Sequence, residues 1–292
     1  MPDVSRSLEL RLIDVFSRER LLGNPAAIVL GGQDLSNGDM QRIASFLNLS
    51  ETVFLLPASN QAADCKTRTF TVRREIPFAG HAALAAAHAH AERHGNSERI
   101  IQECDAGLLT VCRRAVAAHS LYWLDLPRPQ SRATHVSAAE VGSAIGLAPS
   151  RFAIGGFPVA RTGPAWLLAE LDDEADLSLI TPDAGKITDL AQSVGAVGLT
   201  AFARSSGGID FRLRTFAPAA GIPEDPVCGS CAGAIVAHLV LNGTAPRTFH
   251  LRQGRELGRD GEIAIEVERG RSGLELRLGG RCHTVCIGEL CL

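Results

Sequence analysis

No apolar run in this 292-residue chain approaches the length of a membrane-spanning helix, so an integral helical membrane protein is excluded. Met1 to Leu10 alternates polar and apolar residues and carries no apolar signal core, which predicts a cytoplasmic protein. Basic residues form no cluster beyond short pairs such as Arg73-Arg74 and Arg113-Arg114. With a formal net charge of −3, nothing predicts a nucleic-acid or anionic-membrane partner. No dinucleotide Gly-rich fingerprint or phosphate-binding loop follows a strand pattern. A second Cys-x-x-Cys to complete a zinc site is also missing. The eight cysteines lack the spacing of a small disulfide scaffold and are expected to be reduced, most of them packing as small hydrophobes.

What is present is an internal repeat. Arg68-Thr69-Phe70 leads after five residues to Ile76-Pro77, then Ala79-Gly80-His81 and an alanine-rich run. Arg214-Thr215-Phe216 leads after five residues to Ile222-Pro223, then Cys228-Gly229-Ser230 and a similar run. The two triplets lie 146 residues apart, half the chain. On this alignment the second copy has three extra residues after its Ile-Pro. So long a period is not a solenoid repeat. It predicts two related domains sharing a cleft, at residues 1–127 and 128–276, with 277–292 as a candidate strand returned to the first. With 46% hydrophobic residues, each half has enough apolar residues to build a core.

Each copy predicts a strand (Arg68 to Val72; Asp210 to Phe216), a Pro-marked turn, a Gly and then a helix (Ala82 to Ala91; Cys231 to Leu241). Those helices are almost wholly apolar, which predicts burial on all sides inside a wrapped sheet. Helix N-termini at Gly80 and Gly229 would offer unpaired N–H groups to a carboxylate. The competing reading is two ordinary tight turns that use Gly for a positive φ. Elsewhere, the spacing predicts strands at Leu8 to Phe16, Ala26 to Leu30, Glu51 to Leu56, Arg99 to Glu103, Gly107 to Arg113 and Ser120 to Leu126. Further strands are expected at Val159 to Arg161, Ala165 to Leu171 and Gly198 to Ala203. Helices are expected at Asp34 to Phe46, with Ser36 as a cap, and at Ser137 to Ile145. Pro127 to Gln130 reads as a linker, and the tail from Gly261 as three short strands joined by Gly turns. The whole is an α+β pattern, mainly antiparallel, repeated twice.

Cys228-Gly-Ser-Cys231 at a helix start has the spacing of a dithiol redox site, and a thiolate at Cys228 would be stabilised by the helix N-terminus. His90 and His94 are one helical turn apart, a weak metal pair better read as residues favoured near a helix C-terminus.

Five segments in order carry a family resemblance: Asn24-Pro25-Ala26; Asn48-Leu49-Ser50-Glu51-Thr52-Val53-Phe54; Pro77-Phe78-Ala79-Gly80-His81; Phe216-Ala217-Pro218; and Glu224-Asp225-Pro226-Val227-Cys228-Gly229-Ser230. Together they resemble the phenazine-biosynthesis isomerase (PhzF-like) family, which has the diaminopimelate-epimerase fold. The resemblance implies two pseudo-symmetric α+β domains, each a rolled, mainly antiparallel sheet around a central helix. It implies a homodimer, no cofactor, no metal and a small carboxylate-bearing substrate. The family's type member moves a proton along the diene of trans-2,3-dihydro-3-hydroxyanthranilate. Its acid/base glutamate matches Glu51, with His81, Asp225 and Ser230 as supporting residues. Asn24, Gly80, Cys228 and Gly229 fall among the implied substrate contacts. In the epimerase and racemase branches, two cysteines stand at the positions of Ala79 and Cys228. Ala79 cannot ionise, so a two-thiol mechanism is excluded. A single-cysteine epimerase or dehydratase using Cys228, and a non-catalytic binding protein on the same fold, remain the alternatives.

Overall fold

The computed structural model describes residues 7–95, 97–116, 119–271 and 273–292, and the chain divides into two compact units. One holds residues 7–125 together with Gly279–Leu292; the other is Leu126–Leu278.

The first unit runs β1 (Ser7–Val15), β2 (Asn24–Leu30), α1 (Asn37–Leu47), β3 (Thr52–Leu56), β4 (Cys65–Phe70), β5 (Glu75–Ile76), α2 (Gly80–His94), β6 (Arg99–Cys104), β7 (Gly107–Val116) and β8 (His119–Asp125). The second runs β9 (Gln130–Arg132), α3 (Ala138–Ile145), β10 (Val159–Arg161), β11 (Ala165–Leu171), α4 (Ala184–Ser193), β12 (Gly198–Arg204), β13 (Phe211–Ala217), β14 (Ile222–Asp225), α5 (Gly229–Leu241), β15 (Thr248–Gln253) and β16 (Gly261–Gly270). The last strand, β17 (Gly273–Cys291), begins in the second unit; its later part belongs to the first and pairs antiparallel with β1.

The pairings repeat. Both sheets are mainly antiparallel, and each has two parallel joints at corresponding places: β2 with β3 and β4 with β6 in one, β11 with β12 and β13 with β15 in the other. Within the first unit α2 packs against β1, β2, β3, β4, β6, β7 and β8; within the second α5 packs against β9, β10, β11 and β16. The composition of these helices explains their central place. Nine residues of α2 are buried, seven of them alanines, and ten of α5, almost all small or aliphatic. Small side chains let a sheet close around a helix at interior packing density. A second apolar layer lies outside each sheet. Met40, Ile43 and Ala44 of α1 pack with Phe54 and Phe70 in the first unit; Val141, Ile145, Ile187 and Ala191 of α3 and α4 pack with Phe216 in the second.

The local signals behave as expected at the caps. Ser36 and Ser137 each close a capping box, with Asp39 and Glu140 respectively. Four expectations are corrected. The tail after Gly261 forms two strands, not three. Gly279 and Gly280 are not turns: a Cβ at Gly279 would lie 2.5 Å from the Trp123 ring, and one at Gly280 would collide with Phe16. They lie within a strand because aromatic rings occupy the space a side chain would need. The expected linker ends in a strand, since Gln130–Arg132 pairs with β10. Helix α4 and strand β15 were not anticipated. Finally, the strand expected at Arg68 to Val72 lies at Cys65–Phe70, because Thr71 turns the chain by accepting from the Arg73 and Arg74 N–H groups.

The pairings of β4 with β5 and of β13 with β14 also correct the alignment. In the first copy Thr69 pairs with Ile76; in the second Thr215 pairs with Asp225. Arg68 forks onto Glu75 through Nε (2.7 Å) and Nη2 (2.6 Å), and Arg214 forks onto Glu224 through Nε (2.8 Å) and Nη2 (2.8 Å). Each guanidinium also stacks 5.2 Å from the ring of the Phe two residues on. Glu75-Ile76-Pro77-Phe78-Ala79-Gly80-His81 therefore matches Glu224-Asp225-Pro226-Val227-Cys228-Gly229-Ser230 without a gap. The three extra residues lie before that segment, in the turn around Pro218–Ala220. The shared Ile-Pro pairs are not equivalent.

Candidate active site

In the first unit, α1 ends at Asn48, whose left-handed conformation (φ 51°) turns the chain back toward the sheet. This turn delivers Glu51 to the residue before β3, where its carbonyl accepts from the Ala27 N–H of the parallel neighbour β2 at 3.3 Å. Strands β4 and β5 then lead through Pro77 to the start of α2, where His81 is the second residue. These two routes bring a carboxylate and an imidazole together: Glu51 Oε2 lies 3.2 Å from His81 Nε2. Both side chains are buried, at 9% and 8% exposure. The distance suits an ion pair, but the direction does not meet hydrogen-bond geometry. Among the described residues neither atom has another hydrogen-bond partner. A buried polar atom without a hydrogen bond costs about 1–3 kcal/mol.

Asn24 is buried at the start of β2, and its Oδ1 accepts from Ser50 Oγ at 3.3 Å. The hairpin that precedes it is held from inside by Asp14, which accepts from Ser17 Oγ (2.7 Å) and the Gly23 N–H (3.0 Å). Asn24, Glu51, Gly80 and His81 are thus set by one connected piece of sheet and the helix it feeds.

In the second unit Asp225 closes β14, and Cys228, Gly229 and Ser230 begin α5. Asp225 Oδ1 accepts from the Val227 N–H at 3.1 Å. Gln253, buried at the end of β15, clamps the same loop. Its Nε2 donates to the Asp225 carbonyl (2.6 Å) and its Oε1 accepts from the Cys228 N–H (2.8 Å). Ser230 Oγ accepts from Trp166 Nε1 at 3.0 Å and lies 3.4 Å from Cys228 Sγ. Gln253 and Trp166 were missed from the sequence. Neither sits in a recognisable motif, and both reach the loop only through strand pairing.

Neither N-cap, Ala79 or Cys228, makes a side-chain capping bond, so the first N–H groups of α2 and α5 are left uncapped by side chains. Neither Gly80 nor Gly229 has a positive φ, which removes the tight-turn reading. Both are the first residues of their helices, where the backbone can be approached closely.

The thiol expectation is corrected. Cys228 is fully enclosed, and burial, then the neighbouring Cys231 thiol and the Asp225 charge, push its pKa well above the usual thiol value. Desolvation outweighs the helix N-terminus, and Cys228 is held as the protonated thiol. Cys231 Sγ donates to Cys228 Sγ at 2.8 Å, and both are free cysteines. His90 and His94 stack at 4.6 Å between ring centroids, and no cluster of three metal-ligating side chains occurs among the described residues. Nor is any helix of the described residues long and apolar enough to cross a membrane.

The chain is similar to known proteins over most of its length. A family model described as "Phenazine biosynthesis-like protein" matches residues 13–288. The chain is 33% identical to trans-2,3-dihydro-3-hydroxyanthranilate isomerase of Pseudomonas aeruginosa, over 88% of this chain and 89% of that one. It is 30% identical to antisense-enhancing sequence 1 of Schizosaccharomyces pombe, over 95% and 96%. The Bacillus anthracis phenazine biosynthesis protein of the PhzF family has the same fold, with a TM-score of 0.91 over 98% of this chain and all of that one at 22% identity. A hydroxyproline epimerase from Agrobacterium vitis shares the fold more distantly, with a TM-score of 0.68 at 15% identity over 98% and 92%.

Proposed function

We propose, from the premise that this chain belongs to the phenazine biosynthesis-like (PhzF) family and is an isomerase, that it moves a proton within a small carboxylate-bearing metabolite without a cofactor. The observation that carries this reading is the Glu51–His81 pair: a buried carboxylate and imidazole 3.2 Å apart, with their facing atoms otherwise unpartnered. Such a pair is costly to keep and has the groups that general acid–base chemistry needs.

In this reading Glu51 takes a proton from a carbon flanked by a π system, exchanges it with solvent, and delivers a proton to another carbon of the same system. One C–H bond breaks, one forms, the double bond shifts, and no oxidant is needed. His81 holds the Glu51 carboxyl in place and shares its proton. Asp225 orients the substrate's polar group. Asn24 and the N–H group at Gly80 in the first unit, and the Ser230 hydroxyl and the N–H group at Gly229 in the second, are the anion-binding groups of this proposal. Cys228 packs beside Ser230 and does not act as the base, because its thiol stays protonated near neutral pH. That disfavours the single-cysteine epimerase. The homodimer implied by the family belongs to the same proposal and is read by analytical ultracentrifugation.

The Pseudomonas relative's substrate is the first compound to test. Incubating the protein with trans-2,3-dihydro-3-hydroxyanthranilate in D₂O should place one solvent deuterium on a substrate carbon, unaffected by chelators. A protein that exchanges no carbon-bound hydrogen of this compound or of related cyclic diene carboxylates is not an isomerase of this kind.

A further inference from the structure

The Cys-x-x-Cys at the start of α5 is left without a role by the chemistry above, and Trp166 lies behind the same turn. Both converge on Ser230. An indole N–H can only donate, so at 3.0 Å Trp166 Nε1 occupies one acceptor position of Ser230 Oγ. The Cys231 thiol donates to Cys228 Sγ at 2.8 Å, and Cys228 Sγ lies 3.4 Å from Ser230 Oγ. At the Cys228–Ser230 contact either atom can donate. A serine hydroxyl has two acceptor positions and one hydrogen. With one acceptor position filled from behind by the indole N–H, its hydrogen is free to be given to a stronger acceptor than the neighbouring sulfur.

The seat of Trp166 is built for this. The indole is 5% exposed and lies over Gly198 of the paired strand. A Cβ there would lie 2.8 Å from the indole ring and would collide with the Phe216 carbonyl. The glycine therefore lets a large ring sit flat on the sheet with its N–H aimed at the first turn of α5.

We infer that Trp166 is a positioning residue that fixes the Ser230 hydroxyl as a hydrogen-bond donor to an anionic oxygen of the substrate. This rests on the proposed function in taking that oxygen to be a carboxylate.

The test is a double-mutant cycle of Trp166→Phe and Ser230→Ala, read by steady-state turnover of trans-2,3-dihydro-3-hydroxyanthranilate and by the rise in Tm produced by its aromatic analogue 3-hydroxyanthranilate. Trp166→Phe should raise KM about fivefold with kcat little changed, the factor that about 1 kcal/mol from one neutral hydrogen bond makes in affinity. In the Ser230→Ala background it should add nothing, because Trp166 acts only through that hydroxyl. Equal effects in both backgrounds would mean that Trp166 merely packs, and would overturn the inference. Should Trp166→Phe fold poorly, Trp166→Leu in the same two backgrounds gives the same reading, because it too removes the indole N–H. A wild-type protein that binds 3-hydroxyanthranilate but does not turn over the diene refutes the proposed reaction, and the Tm cycle still decides the role of Trp166. A wild-type protein that binds neither compound overturns both.

Discussion

Replacing Glu51 by Gln keeps the size and shape of a buried side chain and removes its capacity to take a proton. Glu51 is 9% exposed and its Oε2 faces His81 Nε2 at 3.2 Å, so the substitution leaves packing intact and changes one group. A positioned general base contributes about 10²- to 10⁴-fold, or roughly 3–5 kcal/mol of barrier, and solvent deuterium incorporation should fall by that factor. Glu51→Asp separates chemistry from placement. It keeps the carboxyl but withdraws it by one methylene, about 1.5 Å, past hydrogen-bond reach of His81. A displacement of that order costs about 10²-fold. Stability should move the other way. The wild-type pair holds two buried atoms without hydrogen bonds, so Glu51→Gln should leave Tm unchanged or raise it, by at most about 1–2 kcal/mol. The assay is mass spectrometry of trans-2,3-dihydro-3-hydroxyanthranilate and its product in D₂O, beside a thermal melt of each variant. A Gln variant that exchanges at the wild-type rate shows that Glu51 is not the base. A variant that loses activity and stability together shows that the pair is structural.

Cys228→Ser keeps a small hydrogen-bonding side chain and should cost less than about tenfold in activity, against nearly complete loss if a thiolate were the base; kinetics of the single variant decide. Arg214→Met should cost about 3–5 kcal/mol in urea unfolding, because Glu224 is left buried (side chains 8% and 13% exposed) and the Leu177 and Ile180 carbonyls lose their donor at 2.8 and 3.2 Å. Arg68→Met, at the matching and wetter position (20% and 27% exposed), should cost about 1–2 kcal/mol, and the reverse order would refute the matching of the two forks. Burial lowers the pKa of His88 and of His238 below the ordinary 6.5. The folded protein therefore binds fewer protons than the unfolded chain, and stability should be full above about pH 6.5 and decline as pH falls below it. His238→Gln should flatten part of that decline in urea midpoints taken at pH 7.5 and 5.5; an unchanged slope would show that His238 does not contribute to it.

Much of the architecture is legible in the sequence because it is written in composition. The alanine stretch of α2 and the small-residue stretch of α5 have no polar face, and a helix without one has to be enclosed. Ser36 and Ser137 mark helix starts because each is followed three residues later by the carboxylate that completes its box. Helix α4 escaped notice for the opposite reason. Only Ile187 and Ala191 of it are buried, and its start depends on Asp183 accepting from the Lys186 N–H. Its stability comes mostly from what it packs against, which no local pattern records. Gly279 and Gly280 were misread because glycine is a turn former when considered alone. Here its use is to make room for Trp123 and Phe16, residues more than 150 positions away in the chain.

The site shows the same division. Glu51, His81, Asp225 and Ser230 stand in segments that could be matched by eye, whereas Gln253 and Trp166 act on that loop from other strands. The misplaced insertion is the instructive case. Ile76-Pro77 and Ile222-Pro223 look equivalent because both follow Arg-Thr-Phe by five residues, and letter matching prefers the alignment that keeps them together. The physical constraint is different. A buried arginine needs a carboxylate in fork geometry, and in each hairpin that carboxylate is the residue four before the helix N-cap: Glu75 before Ala79 and Glu224 before Cys228. Anchoring the comparison on charge pairing makes Asp225 the counterpart of Ile76 and Ser230 the counterpart of His81. The two halves then differ most where the proposed chemistry needs them to differ. One half presents an imidazole beside a carboxylate at the head of its helix, and the other a hydroxyl bonded by Trp166 and a carboxylate on a loop whose backbone Gln253 clamps.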